Sequence, residues 1–317
     1  MTELLTVGRV GVDLYPEQSG VPLHQVSTFA RSLGGTATNV AVGAARLGRR
    51  TAVLTKVGPD DFGTYVRTAL TDFGVDASHV GTAPDLLTPV VFCALNPPED
   101  PPLLFYRLPI APDLTLTAAD VPWDLVADVP VFWVTGTGVS TEPARQTQLD
   151  MLAHRGRPAA VSGRWTVLDL DWRPMFWASP EDARREYERM LGYATVVVGN
   201  RAEAEVAVGT ADPEKAARRM LAHGAELALV KKGAGGVLVA TPDGMTTVAP
   251  QRIEVVCGLG AGDAFGGALV HGLLSGWDAV RCAQYANAAG AIVASRLACA
   301  DAMPTIDELD LMVGEPG

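Results

Sequence analysis

Short apolar runs recur along this chain and alternate with stretches whose apolar residues fall at helical spacing. Leu4–Val10 reads as a buried strand that closes in Gly11-Val12-Asp13, and Thr51–Val57 reads as the next. Val129–Val134, Thr166–Leu170, Thr195–Val198 and Leu227–Val230 repeat the pattern, each too short for a helix. Between them, Val40–Leu47 is apolar at helical spacing and stops at Gly48, and Pro180–Leu191 and Pro213–His223 are further helical stretches. Strands alternating with helices predict an α/β fold, a mostly parallel sheet covered on both faces. Two places depart from the alternation. Val237–Ala240 and Thr246–Val248 flank Thr241-Pro242-Asp243-Gly244, which predicts an antiparallel hairpin. Val90–Leu95 and Leu103–Arg107 flank Asn96-Pro97-Pro98-Glu99-Asp100-Pro101-Pro102, whose four prolines exclude a helix and leave a hairpin-like excursion. Arg252–Cys257 reads as a β-rich run leading into a Gly-rich turn.

The chain has 317 residues, 48% of them hydrophobic, enough to bury a sizeable core in one α/β domain spanning 1–317. A net charge of −11 argues against nucleic-acid binding, so an anionic ligand must be held by a local backbone site or by a few Arg and Lys residues. The four cysteines lack metal-ligand spacing, and Cys93 and Cys282 lie in apolar runs where a thiol packs as a small hydrophobe. Neither a signal-peptide pattern at the start nor a run of about 18 apolar residues is visible, so the expectation is a cytoplasmic protein without a membrane partner.

The most specific chemistry lies in Gly258-Leu259-Gly260-Ala261-Gly262-Asp263. Its glycines let backbone N–H groups converge at the start of the helix that follows, which makes an anion site. A carboxylate at such a mouth suits a base that takes a proton from a hydroxyl, although Asp263 is equally readable as a plain helix N-cap. Asp13 follows an apolar strand, so it is expected at a carboxyl end, where open α/β sheets bind ligands; a turn-forming Asp is the alternative. Gly34 and Gly35 allow close backbone approach, and Asn39 offers both a donor and an acceptor. Arg107 and Arg173 carry guanidinium groups suited to a carboxylate or phosphate, with ordinary surface ion pairing as the alternative, more serious for Arg107. Lys56 is a further candidate. Asn200 and Glu203 form Asn-x-x-Glu after a strand, a spacing that a helix capping box also produces.

Three segments, Leu33–Gly48, Val57–Gly63 and Gly258–Phe265, taken in this order and at this separation, resemble the ribokinase-like (phosphofructokinase-B) sugar kinases from about Val7 to Pro304. The resemblance implies a small β-sheet lid, here near 12–16, 90–95 and 103–107. It implies ATP-dependent phosphoryl transfer with Mg²⁺, Asp263 as base and the amides of Gly260, Ala261 and Gly262 as anion hole. It puts Asp13, Gly34, Gly35 and Asn39 on the sugar, Glu203 with Asn200 on the hydrated Mg²⁺ and phosphates, and Lys231, Gly233, Gly236 and Asn287 beside the nucleotide. Thr36 stands where ribose-specific members carry Lys. Cys257 stands where many relatives place an Asp beside a monovalent cation, which makes potassium activation doubtful. The strings Gly8–Pro16, Phe105–Arg107, Asp169–Pro174 and Ser295–Thr305 are similar to those members that phosphorylate an acidic deoxy sugar in inositol catabolism. Kinases of other deoxy keto acids, fructokinases and a sugar-binding pseudokinase are the alternatives. Both faces of the Val90–Ala94 strand are apolar by period-two alternation, which predicts that a second lid covers the outer face in a homodimer.

Overall fold

The computed structural model describes residues 1–18, 20–98, 101–158 and 163–314. Strand β1 (Leu4–Val7) runs through the middle of the main sheet, and the chain then crosses into a second sheet as β2 (Gly11–Pro16) and β3 (Phe29–Gly34). It returns through α1 (Thr36–Arg46), β4 (Thr51–Val57), α2 (Asp61–Asp72) and the short β5 (Val75–Asp76) and β6 (Val80–Thr82). A second excursion, β7 (Val90–Cys93) and β8 (Leu103–Tyr106), completes the small sheet. The body continues as α3 (Trp123–Asp128), β9 (Val131–Thr135), α4 (Ala144–Arg155), β10 (Trp165–Asp169), α5 (Pro180–Leu191), β11 (Val196–Asn200), α6 (Arg201–Val208), α7 (Pro213–Ala222) and β12 (Leu227–Lys231). The hairpin β13 (Val237–Thr241) and β14 (Gly244–Val248) follows, then α8 (Ala261–Leu274), α9 (Ala279–Ala294) and α10 (Ile306–Val313).

The main sheet has the order β14-β13-β12-β11-β10-β9-β1-β4-β5, with β6 paired to β4; its pairings are parallel except at the β12-β13-β14 edge. Alternate side chains of β9 enter opposite layers. Val131 and Trp133 pack with residues of α1, α8 and α9, while Phe132 and Val134 pack with residues of α4, α5 and α7. Burial on both faces is why these strands read as unbroken apolar runs. Helices α1 and α8 cross at glycine: a Cβ on Gly267 would lie 2.9 Å from Gly43 Cα. That close approach brings the N-terminal turns of the two helices together.

The small sheet has the order β3-β2-β7-β8, and β2 pairs antiparallel with β3 over all six residues, from Gly11↔Gly34 to Pro16↔Phe29. Three expectations need correction. The first strand ends at Val7, not Val10; the chain turns through Gly8, Arg9 and Val10, so Asp13 lies within a lid strand rather than at the end of a body strand. Arg252–Cys257 forms no strand, because its last N–H groups, those of Val256 and Cys257, donate to Ala294 O at the end of α9 (2.8 and 3.1 Å) instead of to a ladder. Strand β3 adds to the expected lid; Arg31 and Ser32 dilute its apolar pattern, and its partner strand comes from an earlier segment. Glu99 and Asp100 of the Pro-rich joint lie outside the described residues.

Candidate active site

A cavity of about 410 Å³ lies where the carboxyl ends of β1, β11 and β12 meet the lid and the start of α8. Gly260, at φ +83°, caps α8, and Gly260, Ala261 and Gly262 line the cavity with the helix N-terminus aimed at it. A left-handed backbone there favours glycine, and a Cβ would also sit 2.7 Å from Cys299 Sγ. Asp263 is the third residue of α8, so Gly260 and not Asp263 is the cap. Its Oδ2 accepts a 2.7 Å hydrogen bond from Asn39 Nδ2, across the α1–α8 contact. Burial raises the Asp263 carboxyl to about 6 despite that bond. The other polar atom of the Asn39 side chain, Oδ1, is buried without a protein partner and Asn39 lines the cavity, so it remains an acceptor for a ligand hydroxyl.

Asp13 and Gly34 are diagonal neighbours across the β2–β3 ladder, where Gly34 pairs with Gly11 and Asp13 with Ser32. A Cβ on Gly34 would lie 2.2 Å from Asp13 Oδ1, so only glycine leaves room for this carboxylate. Burial pushes Asp13 up to about 7, against the pull of Arg9. Tyr15, two residues along the same lid face, donates to Asp13 Oδ2 (3.4 Å) and contacts Cys299 Sγ (2.9 Å). Gly35 links β3 directly to α1 and lines the cavity.

Arg107 and Arg173 both line the cavity, and both carry a counterion. Arg107 Nη2 donates to the two oxygens of buried Asp113 at 3.1 and 3.0 Å, so the ion-pairing alternative holds for this residue together with its place in the wall. Arg173 Nε lies 3.2 Å from Asp171 Oδ1. Lys56 does not reach the cavity; it is held by Asp120 (2.7 Å) and by Thr115 O (3.1 Å).

At the opposite end, Asn200 and Glu203 make a capping box for α6: Asn200 Oδ1 accepts from Glu203 N (2.9 Å) and Glu203 Oε2 from Asn200 N (2.6 Å). Both nevertheless line the cavity, as do Lys231 and Gly233, so capping does not take them out of the wall. Gly236 and Asn287 stand outside the cavity wall. Gly236 lies against the end of β14, where a Cβ would be 2.1 Å from Val248 O, and Asn287 Nδ2 donates to Ala249 O (3.0 Å).

Two features, Arg9 in the wall and Asp171 behind it, escape a reading of the sequence. Arg9 is buried and joins Thr36 Oγ1 (2.5 Å) and Asp171 (3.3 Å) through Nη2. Reading Leu4–Val10 as one strand places this arginine inside a strand; Gly8 followed by a charge, directly after Leu4–Val7, is the signal that the strand has ended. Asp171, visible only as part of the Asp169–Pro174 string, is the counterion shared by Arg9 and Arg173. These two arginines hold its carboxyl below the ordinary range although burial pushes the other way.

A family model for pfkB family carbohydrate kinases matches residues 1–306. The 5-dehydro-2-deoxygluconokinase of Geobacillus thermodenitrificans is 31% identical over 98% of this chain and 93% of its own length. That of Photobacterium profundum is 33% identical over 97% and 93%. Among solved structures, a double-mutant fructokinase from Vibrio cholerae O395 with fructose, ADP and potassium ion superposes with a TM-score of 0.86 at 26% identity, covering 99% of each chain.

Proposed function

The chain belongs to the pfkB family of carbohydrate kinases, and from that premise we propose that it phosphorylates a primary hydroxyl of an acidic deoxy sugar, 5-dehydro-2-deoxy-D-gluconate, with ATP and Mg²⁺. The observation that carries this is the pairing of two unlike ends in one cavity: a carboxylate under a helix N-terminus, and a cluster of three arginines balanced by two carboxylates. Chain 1–317 acts as one kinase domain.

The sugar hydroxyl gives its proton to Asp263 as its oxygen bonds to the γ-phosphorus, the bond to the β-phosphate oxygen breaks, and ADP leaves. The amides of Gly260, Ala261 and Gly262 donate to the charge on the transferring group. Asp13 and Asn39 Oδ1 accept from other sugar hydroxyls. Gly34 and Gly35 let the backbone come close. The substrate carboxylate lies at the end where Arg107, Arg173 and Arg9 stand. Asn200, Lys231, Gly233, Gly236 and Asn287 serve the nucleotide side. Among the described residues no group of three or more His, Cys, Asp or Glu forms a metal cage, which fits an ion that arrives on phosphates with its own water. Asn200 and Glu203 would hold that water shell, and the ion would offset phosphate charge. Cys257 is buried with Tyr15, Cys93 and Cys299, so any monovalent cation beside the nest relies on backbone carbonyls.

The outer lid face carries Phe29, Phe92, Leu104 and Tyr106, with ring pairs at 5.3 and 5.5 Å and the last two residues exposed. Such a patch supports a lid-to-lid homodimer. Four free, buried cysteines and the absence, among the described residues, of any helix long and apolar enough to cross a membrane are compatible with a cytoplasmic enzyme. Steady-state kinetics with ATP on 5-dehydro-2-deoxy-D-gluconate, 2-keto-3-deoxygluconate and fructose tests the proposal. The first is expected to have the highest kcat/KM, and a higher value for fructose would overturn the acidic-substrate assignment.

A further inference from the structure

The three guanidinium groups of the acid end are not equivalent. Arg107 has Asp113 to itself, through a buried one-to-one pair. Arg9 and Arg173 share Asp171, so neither has an ion-pair partner to itself. Arg173 is the more open of the pair, with 35% of its side chain exposed against 8% for Arg9. Water solvates an exposed cation, whereas a buried cation depends on what the protein or a ligand supplies.

Arg9 is undersupplied. Among the described residues all its side-chain hydrogen bonds are made by Nη2, to Thr36 and Asp171. Its Nη1 is buried and has no partner. The rings of Phe105 and Phe176 lie 5.8 and 5.7 Å from its guanidinium carbon, an apolar surround that strengthens any charge pairing there. Arg9 and Phe105 both line the cavity, and Phe105 comes from lid strand β8. The guanidinium is fixed by Thr36, at the start of α1, and by Asp171, just beyond β10, so its position is set before a ligand arrives.

We infer that Arg9 is the residue that receives the substrate's carboxylate and sets the preference for sugar acids, with the Phe105 ring turning aside to open Nη1. This deepens the proposed function and rests on its acidic substrate. A carboxylate there completes the fork that Thr36 and Asp171 leave half used. A neutral sugar leaves that donor without an anionic partner.

The test compares 5-dehydro-2-deoxy-D-gluconate with the neutral ketose that carries –CH₂OH in place of the carboxylate, using wild type, Arg9→Gln and Arg9→Lys. Asp171 keeps Arg173 and Thr137 as partners when Arg9 is replaced, so the floor of the site retains a cation and a donor. For Arg9→Gln, KM for the acid is expected to rise ~10²-fold with kcat changed far less, while the neutral ketose loses less than about tenfold in kcat/KM. Arg9→Lys, which keeps the charge and loses the fork, is expected to fall between. Equal losses on acid and ketose in both variants would overturn the role of Arg9 alone. A wild-type enzyme with no preference for the acid would overturn the acidic substrate itself and this inference with it.

Discussion

On the proposed assignment the anion nest comes from one contiguous stretch, Gly258–Asp263, joined on the nucleotide side by Asn200, Glu203, Lys231 and Gly233, while the sugar end is collected from Arg9, Asp13, Gly35, Asn39, Arg107 and Arg173 on separated segments. The first holds an anion with backbone N–H groups and a helix terminus, which need no counterion. The second would hold charge with side chains that must themselves be neutralised, and it shares its ion-pair partners: Asp113 and Asp171 serve three arginines. An end made of backbone is indifferent to which sugar is bound. An end made of partly balanced side chains selects.

The comparison breaks most sharply at Asp263. Asp263→Asn keeps the shape and the contact to Asn39 and removes the base, so kcat should fall by ~10²–10⁴-fold with ATP affinity largely kept. In the wild type the carboxyl near 6 must be ionised to accept a proton, so turnover should decline as pH drops through about 6. Near-normal turnover in the Asn variant, measured by coupled assay, would show that the nest works without this carboxylate.

At the other end, Arg107→Gln strands a buried carboxylate at Asp113. The expected result is a loss of ~3 kcal/mol in denaturant unfolding, as for other broken buried pairs, with the preference for acid over neutral sugar falling by less than tenfold. An acid preference abolished without a change in stability would reverse the roles given to Arg107 and Arg9.

The smallest effect on catalysis is expected outside the cavity. Leu104→Ser with Tyr106→Ser interrupts the exposed apolar face of the lid. Sedimentation should then shift from two chains to one at micromolar concentration, with kcat within about threefold of wild type. A wild-type enzyme already sedimenting as one chain would remove the dimer.

Contiguity also explains what the sequence discloses. The nest is legible because its spacing is local, whereas Asp263 and Asn39 are picked out by the family resemblance and meet only across the α1–α8 contact; the body strands are legible because burial on both faces makes them uniformly apolar. The lid is only partly legible. Its strands β2 and β7 pair in parallel, from Val12↔Val90 to Leu14↔Phe92, although residues 17–89 lie between them, and no local pattern encodes such a partner. Arg9 is hidden by a strand boundary that falls at Val7 rather than Val10. The misplacement of Lys56 has a related root: its position near the end of β4 is visible, while its partner Asp120, on a distant segment, is not.

The lid's attachment has a mechanical consequence. Only Gly8, Arg9 and Val10 separate β1 from β2, and only Gly35 separates β3 from α1. This half of the lid is therefore welded to the body at both ends, whereas the β7–β8 half is joined to the body by the longer segments 83–89 and 107–111. Lengthening either weld would shift Arg9 or Asn39 against the cavity, while the joint beyond Cys93 can lengthen without moving either. Changes of substrate in this scaffold are thus expected as side-chain replacement on the welded half and as loop growth on the β7–β8 half.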